Sequence, residues 1–274
     1  MEKAILNRLT ALGHPKRMAL FRLLMRRYPQ AVPAGELARA LELKASTLSV
    51  YLSALAGVGL IEQRRHATSL HYQVRLEAAR EIIDYLFLDC CRGRPQLCPS
   101  LGGDMMNEAR KQNVIFICTG NSARSILAEV ILRDAAPERF NTFSAGTRPA
   151  GLPHPLALEV LAEKGHDISG LRSKSLDEFQ GADGVAMDFI FTVCDSAANE
   201  ECPLWPGQPI SGHWGIPDPA AVTGTQAERK RAFIDAYQQM QARIKAFLAF
   251  DAPEDDKAAL QRHIDEIGAL APNQ

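Results

Sequence analysis

The run Cys118-Thr119-Gly120-Asn121-Ser122-Ala123-Arg124-Ser125 holds the residue types of a nucleophilic oxyanion site. A cysteine thiolate is a strong nucleophile, and a helix N-terminus with unpaired backbone N–H groups binds anions. Cys118 sits between an apolar segment, Val114-Ile115-Phe116-Ile117, and an amphipathic one, so it would attack whatever the loop holds. Thr119, Gly120, Asn121, Ser122, Ala123 and Arg124 form the expected oxyanion loop. Arg124 offers a planar fork to two oxygens of a tetrahedral anion, and Ser125 can donate a hydrogen bond to the sulfur. The positive helix end should lower the thiol pKa, so Cys118 is expected to be largely thiolate. Asp218, fixed between Pro217 and Pro219, is a candidate general acid. Cys194 ends a second apolar segment and Cys202 follows it after a short loop, while Cys90, Cys91 and Cys98 cluster earlier in the chain. In a reducing compartment, six cysteines in 274 residues point to catalysis or metal binding rather than to structural disulfides.

The elements that must position these groups follow from periodicity. Apolar segments near 114, 141 and 189, with a fourth short one near Ile210, alternate with helical patterns at 122–135, 155–164 and 226–249. That order predicts an α/β domain over 113–250 with a four-stranded parallel sheet covered on both faces. Residues 99–112, rich in turn formers and polar groups, read as a linker, and 251–274 as a tail with one short amphipathic helix around 257–267. The chain has no apolar run long enough to span a bilayer and no secretory signal, so a soluble cytoplasmic protein without membrane contact is expected.

The first 98 residues differ in charge and in pattern. They carry 15 Lys and Arg against 8 Asp and Glu, whereas residues 99–274 carry 16 against 24, which points to nucleic acid contact by the first part alone. Two helical stripes, a short helix opened by Pro33, a tight turn and a helix over about 45–56 give the spacing of a helix-turn-helix. A hairpin over 60–74 with basic residues near its tip reads as a wing, and a last helix follows over about 77–88. The whole is a mainly α winged helix-turn-helix domain. Ser46, Thr47, Ser49 and Tyr51 would face the bases and phosphates of a major groove, with Arg64, Arg65 and His66 against the backbone or the minor groove.

Leu37-Ala38-Arg39-Ala40-Leu41, the segment Ser46 to Leu52, and Leu55, Gly57, Gly59, Leu60 and Ile61 resemble the winged-helix repressors of the ArsR type. The resemblance implies a homodimer through the first and last helices and release from operator DNA when a metal or metalloid binds. Cys90, Cys91 and Cys98 follow the last helix, an arrangement similar to repressors with a C-terminal arsenite site. Trivalent arsenic is soft and takes three thiolates, and Arg92 and Arg94 favour the ionised forms.

Residues 113–250 resemble the arsenate reductases built on the low-molecular-weight phosphotyrosine phosphatase fold. The match rests on Cys118 to Ser125 as a phosphatase-type P-loop, Ser144-Ala145-Gly146-Thr147, Thr192-Val193-Cys194-Asp195, Cys202-Pro203, and His213-Trp214-Gly215 through Asp218-Pro219-Ala220. Ala123 stands where the family often has cysteine. The resemblance implies a three-thiol relay of Cys118, Cys194 and Cys202, with thioredoxin, or glutaredoxin with glutathione, as external reductant and no bound cofactor. Some members hold potassium near the loop. Asn121, Glu129 and Ser144 suit that ion, but Lys174 stands where potassium-binding members are acidic. The alternative is a winged-helix regulator fused to a phosphatase without reductase activity, which needs Cys118, Arg124 and Asp218 but neither Cys194 nor Cys202.

Overall fold

The computed structural model describes residues 2–66, 68–86, 110–180, 184–200, 205, 209–250 and 257–270. Cys90, Cys91, Cys98, Cys202 and most of the expected linker lie outside the described residues. The chain divides into two compact units, 1–102 and 103–274.

In the first unit, α1 (Glu2–Leu12) and α2 (Pro15–Arg27) precede a two-residue strand, β1 (Val32–Pro33). Then come α3 (Ala34–Ala40), α4 (Ala45–Gly57), the hairpin β2 (Ile61–His66) and β3 (Ser69–Val74), and α5 (Leu76–Asp84). The local causes are ordinary ones. Pro15 occupies the first turn of α2, where its missing N–H is harmless, and the His14 ring accepts from Lys16 N at 3.2 Å. Gly59, at φ 74°, follows α4 in the left-handed conformation that lets Leu60 N reach back to Leu55 O at 3.0 Å. Leu20, Leu23, Leu24, Leu37, Leu55 and Leu60 fill the core with no exposed surface. β1 was not foreseen. It pairs antiparallel with β3, Val32 opposite Tyr72, and two residues are too few for any alternation to show.

In the second unit, β4 (Gln112–Cys118), β5 (Phe140–Gly146), β6 (Phe189–Thr192) and β7 (Ile210–His213) form a parallel sheet in the order β5-β4-β6-β7. The crossovers include α6 (Arg124–Ala135), α7 (Pro155–Glu163) and α8 (Asp195–Asn199). α9 (Gln226–Leu248) and α10 (Lys257–Gly268) follow the last strand. The apolar run 114–117 is buried because β4 is an inner strand with both faces covered. α9 opens with a reciprocal capping box between Thr225 and Glu228.

α10, expected in a tail, packs into this core. Leu260, Ile264 and Ile267 are buried, and Trp214 Nε1 donates to Ile264 O at 3.2 Å. Gly212 has no room for a side chain there, since a Cβ would fall 2.5 Å from Ile264 Cγ2. Among the described residues no helix is long and apolar enough to cross a membrane.

Candidate active site

Cys118 is the last residue of β4, with its side chain buried at the mouth of the 119–123 loop. Outside N–H groups hold the carbonyls of that loop. Thr147 N donates to Cys118 O at 3.1 Å, Arg148 N to Thr119 O at 2.9 Å, Ala150 N to Gly120 O at 2.8 Å and His154 N to Ser122 O at 2.8 Å. In a planar trans peptide the next N–H points opposite to the carbonyl before it, so the amides of 119, 120, 121 and 123 point away from these outside donors. α6 begins at Arg124 rather than at 122, because Ser122 and Ala123 remain in the loop.

Asn121 organises the interior. Its φ of 43° lies in the left-handed region that asparagine tolerates, and its side chain has no exposed surface. Nδ2 donates to Ser125 Oγ at 2.9 Å and to Ser144 Oγ at 2.8 Å, while Oδ1 accepts from Lys174 N at 2.6 Å. Ser125 Oγ lies 3.0 Å from Cys118 Sγ and Asn121 N lies 3.1 Å from it. Because Ser125 Oγ already accepts from Asn121, its own proton is free to point at the sulfur. Gly146 abuts this loop, where a Cβ would come within 2.7 Å of Thr119 O.

The site differs from expectation at two points. Burial pushes the Cys118 thiol above its ordinary pKa, and the bonds from Ser125 and Asn121 oppose this without cancelling it. The shift is thus opposite in direction to the expected lowering. The expectation counted the helix end and left out the desolvation of a side chain on a buried strand. Second, Arg124 does not point into an open cradle. Its Nη2 donates to Asp218 Oδ2 at 2.8 Å, so the expected clamp and the expected acid meet directly. Asp218 Oδ1 accepts from Ala220 N at 3.1 Å, which fixes the carboxylate at the start of a short 3-10 turn, Pro219–Ala221.

Cys194 lies just beyond β6 and is buried. It caps α8, accepting from Ala197 N at 3.4 Å, and Thr119 Oγ1 lies 3.5 Å from its sulfur. The second thiol thus borders the same loop as the first.

The residues considered for potassium do meet, but they do not suit the ion. Lys174 Nζ donates to Glu129 Oε1 and Oε2 at 3.1 and 2.9 Å, and Ser144 Oγ donates to Glu129 Oε2 at 2.5 Å. The carboxylate that would balance a cation is already balanced by an internal ammonium.

The first unit presents a different kind of site. Ser46 and Ser49 are exposed on α4, whereas Thr47 and Tyr51 are half-buried, the Tyr51 ring lying 5.0 Å from that of His14. Val50, 65% exposed, and Ser53 share the outer face with Ser46 and Ser49, and sequence reading did not pick them out. Their i, i+3, i+4 and i+7 spacing was the available signal. Arg64, Arg65 and His66 are exposed near the hairpin tip, with Arg64 ion-paired to Glu62 on the same strand.

Comparisons with known proteins agree with both descriptions. The family described as low molecular weight phosphotyrosine protein phosphatase matches residues 113–263, and a helix-turn-helix domain family matches 12–64. An arsenate reductase of Shouchella clausii is 37% identical over 139 residues, 50% of this chain and 95% of that protein. The arsenate reductase of Bacillus subtilis is 34% identical over 136 residues, 49% of this chain and 93% of its own length. Among solved structures, an arsenate reductase in the phosphate-binding state aligns at 26% identity with a TM-score of 0.41, covering 50% of this chain and 97% of that one.

Proposed function

The chain belongs to the low molecular weight phosphotyrosine protein phosphatase family, and on that premise we propose that it is an arsenate reductase fused to an arsenite-responsive, DNA-binding repressor. The observation that carries the reductase reading is the second thiol. Cys194 shares Thr119 with the loop of Cys118, a position that ester hydrolysis does not require and a redox relay does. Relatives named as arsenate reductases, matched over nearly their whole length, support the same reading.

In the relay, the loop amides and Arg124 hold arsenate while Cys118 attacks arsenic, and the negative charge of the oxyanion is balanced by the cradle. Asp218, released from Arg124 by the incoming anion, takes up the proton that the Cys118 thiol gives up on attack and passes it to the departing oxygen, which leaves as water. Cys194 then attacks Cys118 Sγ. The sulfur–arsenic bond breaks with its electron pair going to arsenic, arsenite leaves, and a Cys118–Cys194 disulfide forms. Cys202 attacks Cys194 and regenerates Cys118, and the resulting disulfide is reduced by thioredoxin, or by a glutaredoxin, in the same exchange chemistry.

The winged helix would bind operator DNA as a homodimer through α1 and α5. Leu6, Ile83 and Leu86, exposed at 49%, 65% and 39%, supply the unpartnered apolar surface such a contact uses. Arsenite captured by Cys90, Cys91 and Cys98 would shift the dimer away from the DNA-binding form. One polypeptide would thus convert a poorly sensed oxyanion into its own inducer.

The test is to incubate reduced protein with arsenate, thioredoxin and thioredoxin reductase, following NADPH beside operator binding. Arsenate-dependent consumption with loss of DNA binding is expected. Consumption should stop in Cys202→Ser, whereas a chain that only hydrolyses phosphate esters, with no arsenate-dependent consumption, is a phosphatase.

A further inference from the structure

Behind Cys194 lies a group that no step above uses. His213 ends β7 with its side chain fully buried, opposite Thr192 in the register of β6 and β7. Its Nδ1 lies 2.8 Å from Thr192 Oγ1 and its Nε2 lies 3.1 Å from Asp195 Oδ1. A carboxylate only accepts, so Nε2 carries a proton in either charge state of the ring and donates it to Asp195. Gly215 closes over the pair. A Cβ there would fall 2.7 Å from His213 Nε2 and 2.8 Å from Asp195 Oδ1.

Asp195 is the residue next to Cys194 and the first of α8, a helix of five residues. A helix this short has too few internal hydrogen bonds to hold itself. Its first turn is fixed from outside, by Cys194 Sγ accepting from Ala197 N and by Asp195 tied to the end of β7. The carboxylate is half exposed, so its substitution removes a tether without opening the core.

We propose that His213 and Asp195 are positioning residues for the second thiol, holding the first turn of α8 so that Cys194 Sγ faces the loop of Cys118. The inference rests on the reductase reading and concerns one step of it. The Cys194 thiolate attacks Cys118 Sγ, the sulfur–sulfur bond forms, and the sulfur–arsenic bond breaks with its pair passing to arsenic, so that two thiols are oxidised as arsenate becomes arsenite. The tether acts on that step and not on oxyanion binding.

The experiment uses the full reduced chain in a single turnover, with arsenate and no thioredoxin, and measures arsenite. In parallel, iodoacetamide labelling of Cys118, read by peptide mass, measures protection of the loop by inorganic phosphate. Asp195→Ala should slow arsenite formation about tenfold, the scale of one charge-assisted hydrogen bond, and leave phosphate protection unchanged. Asp195→Asn, which keeps an acceptor for Nε2, should restore most of the rate. An unchanged rate in Asp195→Ala overturns the proposal. So does equal loss of rate and protection, or a failure of Asp195→Asn to restore the rate. No arsenite from the unaltered chain removes the reductase reading itself, and this inference with it.

Discussion

The loop of Cys118 and the outer face of α4 are the two proposed contact sites, and they are built in opposite ways. Around the loop, side chains are paired inward. Asn121 has three polar contacts besides its backbone, Ser144 bridges it to Glu129, and Lys174 completes the set. On α4, Ser46, Ser49, Val50 and Ser53 face solvent, and the wing arginines are exposed beside them in sequence order only. A site that performs chemistry must have its geometry before the substrate arrives, whereas a reading face can leave its hydrogen bonds to the partner. Damage to the first should therefore register in folding as well as in activity, and damage to the second in binding alone.

The largest effect expected from this contrast is at Lys174. Lys174→Met leaves the Glu129 carboxylate nearly buried without its partner and should lower stability by about 3 kcal/mol, measured by urea unfolding. Potassium should partly restore the variant and leave the parent chain unchanged, and a potassium requirement in the parent would contradict the internal-cation reading. Next is Asn121→Ala, which removes the network centre and puts alanine at a φ that asparagine tolerates better. A loss of about 2 kcal/mol and a fall in arsenate reduction of about a hundredfold are expected. Third is the pH dependence of Cys118. Its pKa is raised by burial, so alkylation of Cys118 should rise about tenfold per pH unit through and above neutral pH, until the raised pKa is passed. A rate already level at pH 7 would mean a resting thiolate. The smallest effect is on the reading face. Arg65→Ala should leave the melting temperature unchanged, weaken operator binding a few-fold and reduce the salt slope by about one. Arg64→Ala should do less, because Glu62 already offsets that charge. A drop in melting temperature for either would erase the distinction between the two regions.

How much of this was legible in the sequence follows the range of the forces involved. β4 could be read because 114–117 is a continuous apolar run, and α4 because its boundaries are set by a turn and by Gly59, within a few residues. α8 was not read, since five residues give no period, and α10 was read as a helix but not as core, since its burial depends on Gly212 and Trp214, about fifty residues earlier. At the site, the residue types of Cys118, Arg124, Ser125 and Asp218 were legible from a motif. The bonds that set their behaviour were not. Asn121 meets Ser144 and Lys174 across 23 and 53 residues, and Arg124 meets Asp218 across 94. Nor could local sequence give the desolvation that raises the Cys118 pKa, because burial belongs to the assembled sheet.

The contact between Arg124 and Asp218 has one more consequence. In this structure the guanidinium carries a tethered anion of the chain's own making. On the reductase reading an entering oxyanion must compete with that tenant, and a ligand with one or two weakly placed oxygens would gain little by the exchange. A tetrahedral dianion, filling the loop amides as well, would gain enough to displace it. Freed of the guanidinium, the carboxylate is placed to take the thiol proton as Cys118 attacks, so that on the reductase reading oxyanion binding and the loading of the acid are one event.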